Sequence, residues 1–169
     1  MKSALFIIGQ RESGKSTLIR SLTGIGRRKK GVPWKLKSLG GAEIKALIVL
    51  SSPQELGMTE KHAPKNFPEY FEDKQEIGRE NYDLIICPLE LSVTNPVYDY
   101  KEYIKVSQKK GFNVRIAVIS KHWDGIEENK EKIREARKFA LKHNKQLSLV
   151  DASNDPNVAS GKIRQQLYP

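Results

Sequence analysis

Residues 4–24 read Ala4-Leu-Phe-Ile-Ile-Gly9-Gln-Arg-Glu-Ser-Gly14-Lys15-Ser16-Thr17-Leu-Ile-Arg-Ser-Leu-Thr-Gly24. The run Ala4–Ile8 is short, wholly apolar and ended by glycine, as expected of a buried parallel strand. Gly9–Ser16 then matches G-x-x-x-x-G-K-[ST] in full. From Ser16 to Leu22 the apolar residues Leu18, Ile19 and Leu22 share a helical face, and Gly24 and Gly26 stop the helix. A glycine loop between strand and helix is the setting in which this pattern wraps phosphate. Gly9 and Gly14 let the backbone close on phosphate oxygens, and the loop amides form an anion nest backed by the positive helix end. Lys15 is expected to reach the β- and γ-phosphates and the Ser16 hydroxyl to ligate Mg²⁺. The expected phosphate-binding set is Gly9, Glu12, Ser13, Gly14, Lys15, Ser16 and Thr17. A chance glycine turn is the competing reading, and motif and context together outweigh it.

Outward from this stretch, apolar runs punctuate the chain. Trp34–Leu39 alternates with period two, the pattern of a half-exposed edge strand. Gly40-Gly41 turns it into Ile44–Leu50, apolar enough to be central. Ser51 to Asn81 is polar and proline-limited. Asp83–Cys87 is a buried strand, read as ending at Pro88. Tyr98–Lys109 is a helix and Val114–Ile119 a strand. Glu127–His143 is the clearest helix, with Ile133, Ala136 and Ala140 on one face and i,i+3 charge pairs on the other. Leu147–Val150 and Val158–Leu167 close the pattern. Alternating strands and helices predict a three-layer α/β domain over residues 1–169, with a mostly parallel central sheet and one antiparallel edge strand. Ligands in such sheets bind at the carboxyl ends of the strands.

The 169 residues suit a single domain, and the hydrophobic fraction is 38%. No apolar run approaches the roughly 20 residues of a membrane span. The single cysteine, Cys87, excludes an internal disulfide and fits a cytoplasmic location. The net charge of +10 points to an acidic partner, whether nucleic acid, a membrane surface or another protein, against the plainer reading of bound nucleotide and solubility. Six cations cluster near Trp34: Arg27, Arg28, Lys29, Lys30, Lys35 and Lys37. They suit steering of an acidic partner or a clamp on nucleotide phosphates; a solvated loop is the bland alternative. No zinc spacing exists among His62, His122, His143 and Cys87.

Gly14-Lys-Ser-Thr-Leu-Ile-Arg-Ser-Leu-Thr-Gly24 resembles the first motif of small GTPases of the Ras and translation-factor class, and the order of elements is similar to theirs. That resemblance implies a P-loop domain binding GTP or GDP with Mg²⁺. Its other motifs are degenerate here. Ser51-Ser-Pro-Gln54 occupies the frame of Asp-x-x-Gly, so Ser51 stands where the resemblance puts the metal-tethering Asp, and Gln54 where it puts the γ-phosphate glycine. Gln54 and the following Glu55 are the catalytic candidates. Ser120-Lys121-His-Trp-Asp124 resembles the base-reading Asn/Thr-Lys-x-Asp with the Asp one residue late. Asp151-Ala152-Ser153 resembles Ser-Ala-Lys, which implies an Ala152 amide facing the base. The resemblance therefore implies base contacts from Ser120, Lys121, Asp124, Ala152 and Ser153, and metal contacts from Ser16 and Ser51. No Thr lies between Gly24 and Gly41 to serve as the second motif.

These departures imply slow or absent hydrolysis and a regulatory role with a protein partner. Gly9–Ser16 is also similar to loops of DNA-packaging ATPases, so ATP or ADP is the alternative ligand, with a small-molecule kinase beside it. In ATPases with an extra central strand, that strand's end carries Asp-Glu. Here Cys87-Pro88 stands there, and Glu90, three residues beyond the strand, reads as a surface acid. A non-hydrolysing interaction module is the third reading.

Overall fold

The computed structural model describes residues 2–26, 31–38, 40–56, 62–71, 82–92 and 98–167. Six strands form one sheet: β1 (Ser3–Gly9), β2 (Val32–Lys37), β3 (Glu43–Ile48), β4 (Leu84–Glu90), β5 (Asn113–Lys121) and β6 (Gln146–Asp151). Four helices accompany them: α1 (Lys15–Thr23), α2 (Tyr100–Lys109), α3 (Lys130–Lys142) and α4 (Pro156–Leu167). The sheet order is β2-β3-β4-β1-β5-β6, parallel throughout except for the antiparallel edge strand β2. The expected α/β sheet with one antiparallel edge is therefore present.

Both faces of the central strands are covered, which is why they read as unbroken apolar runs. Along β1, Ala4, Phe6 and Ile8 join a core with α2 and α3 residues such as Tyr103, Ile104, Phe139 and Ala140. Leu5 and Ile7 face the opposite core, with Leu18, Ile19 and Leu22 of α1 and Ala159 and Ile163 of α4. This alternation follows from the two-residue period of a strand and gives three layers. The polar stretch after Ser51 contributes Phe67 and Phe71 to the first core from two short 3-10 turns, Pro64–Asn66 and Glu69–Phe71. The Phe67 ring lies 5.6 Å from Phe6 and 6.0 Å from Tyr103.

Several boundaries differ from the sequence reading. Strand β4 does not end at Pro88 but runs to Glu90, in register with Gly9. Backbone groups of alternate residues point to opposite sides of a strand. The Ile86 carbonyl accepts the Val49 amide on the β3 side, so Pro88 also turns its donorless nitrogen to that side. Pairing with β3 has stopped at Ile48, so no ladder bond is lost there. Helix α2 starts at Tyr100, because Asp99 caps it by accepting the Lys101 amide. Helix α3 starts at Lys130, because Asn129 accepts the Glu131 and Lys132 amides. Glu127, read as helical, instead bridges to Lys121.

Candidate functional site

The loop between β1 and α1 has the backbone its sequence demands. Gly14 is left-handed at φ 105°, and Glu12 is held at φ 60°, uncommon for a non-glycine residue. A Cβ on Gly9 would collide with the Ser13 Oγ and press on Ile119. Helix α1 receives no side-chain cap and has no acid in its first turn, unlike α2 and α3. Its leading amides thus present partial positive charge at the loop, the arrangement that attracts an anion.

Lys15 lies over this loop, nearly buried. Its Nζ donates to the Gln10 carbonyl at 2.6 Å and the Gly9 carbonyl at 3.2 Å, and stands 3.7 Å from Glu90 Oε1. Burial holds the Lys15 ammonium below its ordinary pKa, against the opposing pull of Glu90 and Glu55. Burial likewise pushes Glu90 up to about 6; Lys15 opposes this, and a hydrogen bond and charge repulsion from Glu55 add to it. Glu90 and Lys15 therefore share one poorly solvated corner, with the exposed Glu55 at its edge. Glu12, Ser13, Gly14, Lys15, Ser16, Thr17, Glu55 and Trp123 line a pocket of about 460 Å³. The expected phosphate set, Gly9 included, is thus gathered at one place.

The metal candidates also meet. Ser16 Oγ donates to the Leu50 carbonyl at 2.8 Å, which brings Ser51 beside it. Both are hydroxyls and carry no charge; the acids that line the pocket with Ser16 are Glu12 and Glu55. Of the catalytic candidates, Gln54 is fully engaged. Its Oε1 accepts the Glu90 amide at 2.7 Å, and its Nε2 donates to the Tyr98 carbonyl at 3.0 Å and the Glu90 carbonyl at 3.4 Å. The carboxamide replaces the missing strand neighbour where β3 has left β4. Glu55 forms a reciprocal pair with Ser52: its carboxylate accepts the Ser52 amide and its amide donates to the Ser52 hydroxyl, both at 3.1 Å.

Ser120–Glu128 folds as a tight hairpin. His122 N–H donates to the Ile126 carbonyl, Gly125 N–H to the His122 carbonyl, and Glu128 N–H to the Ser120 carbonyl. The extra residue in Ser120–Asp124 is absorbed in this turn. Asp124 Oδ1 accepts the Ile126 amide at 3.1 Å. Trp123 is thereby directed at the phosphate loop, where its indole N–H donates to the Glu12 carbonyl at 2.9 Å. His122 pairs with the buried Glu128 at 3.1 Å. The Ala152 amide does not face a ligand, since it donates to the Lys121 carbonyl at 2.8 Å and joins the ends of β5 and β6. Ser153 donates its N–H and hydroxyl to Asp151, which holds that carboxyl below its ordinary range. A methyl on Gly14 would lie 3.6 Å from the Cβ atoms of both Ala152 and Trp123, so the two loops pack on the phosphate loop. Ser120 and Lys121 line a separate cleft of about 540 Å³ beside α3.

Of the basic cluster, Arg27, Arg28, Lys29 and Lys30 lie outside the described residues. Lys35 and Lys37 line a crevice with Thr23 and Arg164 at the C-terminal end of α1. That is the end away from the loop, so these two cannot clamp phosphates bound there. Lys35 is paired with Glu43 at 3.1 Å. Sequence reasoning undervalued Glu90 because Pro88 was read as a strand end, and it missed Trp123 as a loop contact. The exposed backbone side of β4 beyond Ile48 is the signal that reconciles Pro88 with a continuing strand.

No protein-family model matches the sequence. No curated protein sequence matches it either. Solved structures do. A probable GTP-binding protein, EngB, is similar over 96% of both chains at 18% identity and a TM-score of 0.52. Aquifex aeolicus Era bound to GDP and aluminium fluoride is similar over the whole chain at 19% identity and a TM-score of 0.52. Era in complex with MgGDPNP and a segment of 16S ribosomal RNA is similar at 18% identity and a TM-score of 0.50. The chain spans 58% of the length of the two Era chains. No helix among the described residues is long and apolar enough to cross a membrane. At these identities the likeness is one of fold, and the chain carries the three-layer α/β fold of the small P-loop GTP-binding proteins.

Proposed function

We propose that the chain is a Mg²⁺-dependent guanine-nucleotide-binding protein with slow intrinsic hydrolysis, acting through a protein partner. The observation that carries the reading is the uncapped start of α1 behind a left-handed Gly14, with Lys15, Ser16 and Trp123 around one pocket. The α1 amides and Lys15 would hold the phosphates, Lys15 exchanging its carbonyl partners for phosphate oxygens. Ser16, beside Ser51, would hold the cation, which would neutralise charge on the phosphates. The indole of Trp123 is exposed and anchored at the loop, a surface on which a purine could stack. Slow turnover follows from the engaged carboxamide of Gln54 and the uncharged Ser51, which leave little to position water or charge. The expected rate is no faster than roughly 10⁻³ per second.

The test is nucleotide identity. Purified protein is denatured, released nucleotide is separated by chromatography, and GTP, GDP, ATP and ADP are then compared in competition. Release of guanine nucleotide and tighter GTP than ATP binding support the reading. One observation favours the ATPase alternative: β4 is inserted between β3 and β1 and brings Glu90 to Lys15. Tighter ATP binding would select that alternative.

A further inference from the structure

We propose that the crevice at the C-terminal end of α1 holds the phosphodiester backbone of a single-stranded nucleic acid, with Trp34 as the platform for one of its bases. The inference is independent of what the phosphate loop binds, since that loop lies at the other end of the helix. The crevice, of about 210 Å³, is lined by Leu22 and Thr23 of α1, Lys35, Leu36 and Lys37 of β2, and Arg164 of α4. Three of these residues are cations and none is an acid. Leu22 and Leu36 are buried, so the surface open to a ligand is polar and positive. The three elements meet there because α4 packs on α1 and β2 is the edge strand of the sheet.

The cations are held differently. Arg164 donates one guanidinium nitrogen to the Leu22 carbonyl at 2.6 Å, which fixes the group at the crevice; no other bond among the described residues engages it. Lys35 is paired with Glu43, but both side chains are largely exposed, and a pair of that kind contributes little that a phosphate would not match. Lys37 is exposed and has no ion pair among the described residues.

Charge alone would attract any polyanion, and Trp34 narrows the choice. Its indole N–H donates to the Thr23 carbonyl at 2.9 Å, and Thr23 itself lines the crevice. The ring therefore stands beside the cations in a fixed place, with 38% of its surface open. An unpaired base stacks on such a ring while its phosphate is neutralised by the neighbouring cations. A duplex keeps its bases inside and would use the cations only. An acidic protein segment would want an apolar pocket for an anchor, and the two leucines here are already covered.

The experiment titrates the full chain with oligouridylate and oligothymidylate of about ten nucleotides, and with a duplex of equal length. The strands carry no terminal phosphate, so the phosphate loop has nothing to hold. Binding is read by anisotropy of a labelled strand and by quenching of tryptophan fluorescence. The chain has two tryptophans, and Trp34→Phe should abolish the quenching because Trp123 stands at the phosphate loop. Each phosphate contact is expected to contribute about fivefold at about 0.1 M salt, because log K falls by ~0.7 per contact for each decade of salt. Lys37→Gln should therefore weaken single-strand binding about fivefold, Lys35→Gln/Lys37→Gln further, and Trp34→Leu about tenfold. Lys138→Gln/Lys142→Gln removes the same charge from exposed positions of α3 and should change binding less than about twofold. The lysines are exposed, so their variants decide the matter even where Trp34→Leu fails to fold. Equal losses in the two lysine pairs overturn the proposal, since they mean diffuse attraction to the net charge of +10. So do quenching that survives undiminished in Trp34→Phe, duplex bound as tightly as single strands, and a parent that binds no strand at all. Binding to phosphatidylserine vesicles without binding to the oligonucleotides also overturns it, in favour of a membrane surface.

Discussion

Replacing Gln54 with Ala tests whether this residue is a clip or a catalytic group. The carboxamide satisfies the Glu90 N–H at 2.7 Å and reaches the Tyr98 carbonyl at 3.0 Å, and Gln54 itself is 8% exposed. Truncation leaves the Glu90 amide without a partner on the side of β4 that β3 has left. An orphaned buried polar group costs about 1–3 kcal/mol. With the Tyr98 carbonyl nearer solvent and able to find water, the expected loss for Gln54→Ala is ~2–3 kcal/mol. A domain of this size would then melt roughly 4–12 °C lower. The assay is urea unfolding by tryptophan fluorescence and circular dichroism on parent and variant. Gln54→Glu should be comparably destabilised, since it keeps the acceptor for Glu90, loses the donor to Tyr98 and adds a third carboxylate. Unchanged stability in Gln54→Ala together with a selective loss of hydrolysis would refute the argument and return Gln54 to a water-positioning role.

Lys15→Ala should weaken triphosphate binding at least about tenfold, read by calorimetry on the folded variant, because charge-assisted phosphate contacts are lost. Glu90→Gln should also change the pH dependence of stability. The folded-state pKa of Glu90 is raised from 4.5 to about 6, so its favourable contribution is present below 4.5 and lost as pH rises through 6. The amide variant should therefore gain on the parent between pH 5 and 8, by up to ~2 kcal/mol; a stability gap flat in pH would contradict the burial argument. Ser51→Asp should tighten Mg²⁺-dependent triphosphate binding, because it puts a charge beside Ser16; unchanged metal dependence in a titration would show that Ser51 does not face the cation.

The loop Gly9–Ser16 was legible because backbone and sequence constrain each other there: Gly9 is demanded by close approach and Gly14 by positive φ. The strands were legible because double burial leaves them continuously apolar. What sequence patterning could not carry was sheet order. Nothing in residues 84–90 says that this strand lies between β1 and β3, yet that placement brings Glu90 to Lys15. Pro88 misled for a related reason: whether a proline breaks a strand depends on which neighbour its nitrogen faces, a tertiary fact. The Ser120–Asp124 segment shows the same limit. Its likeness to a base-reading motif lies in residue types, whereas the hairpin spends the Asp124 carboxylate on the chain's own amide and turns Trp123 to the loop.

The C-terminal end of α1 is closed by two distant groups, the Trp34 indole donating to the Thr23 carbonyl and the Arg164 guanidinium donating to the Leu22 carbonyl at 2.6 Å. Arg164 is 142 positions from Leu22. In temporal terms, α1 leaves the ribosome well before α4 and stays half-covered until α4 arrives. Leu18, Ile19 and Leu22 wait for Ala159 and Ile163. Contacts this remote in sequence form slowly, because the loop entropy must be met before they contribute. The loop therefore gains a rigid base only once α4 has followed it, and a nascent chain lacking α4 should leave its apolar α1 face open to chaperones.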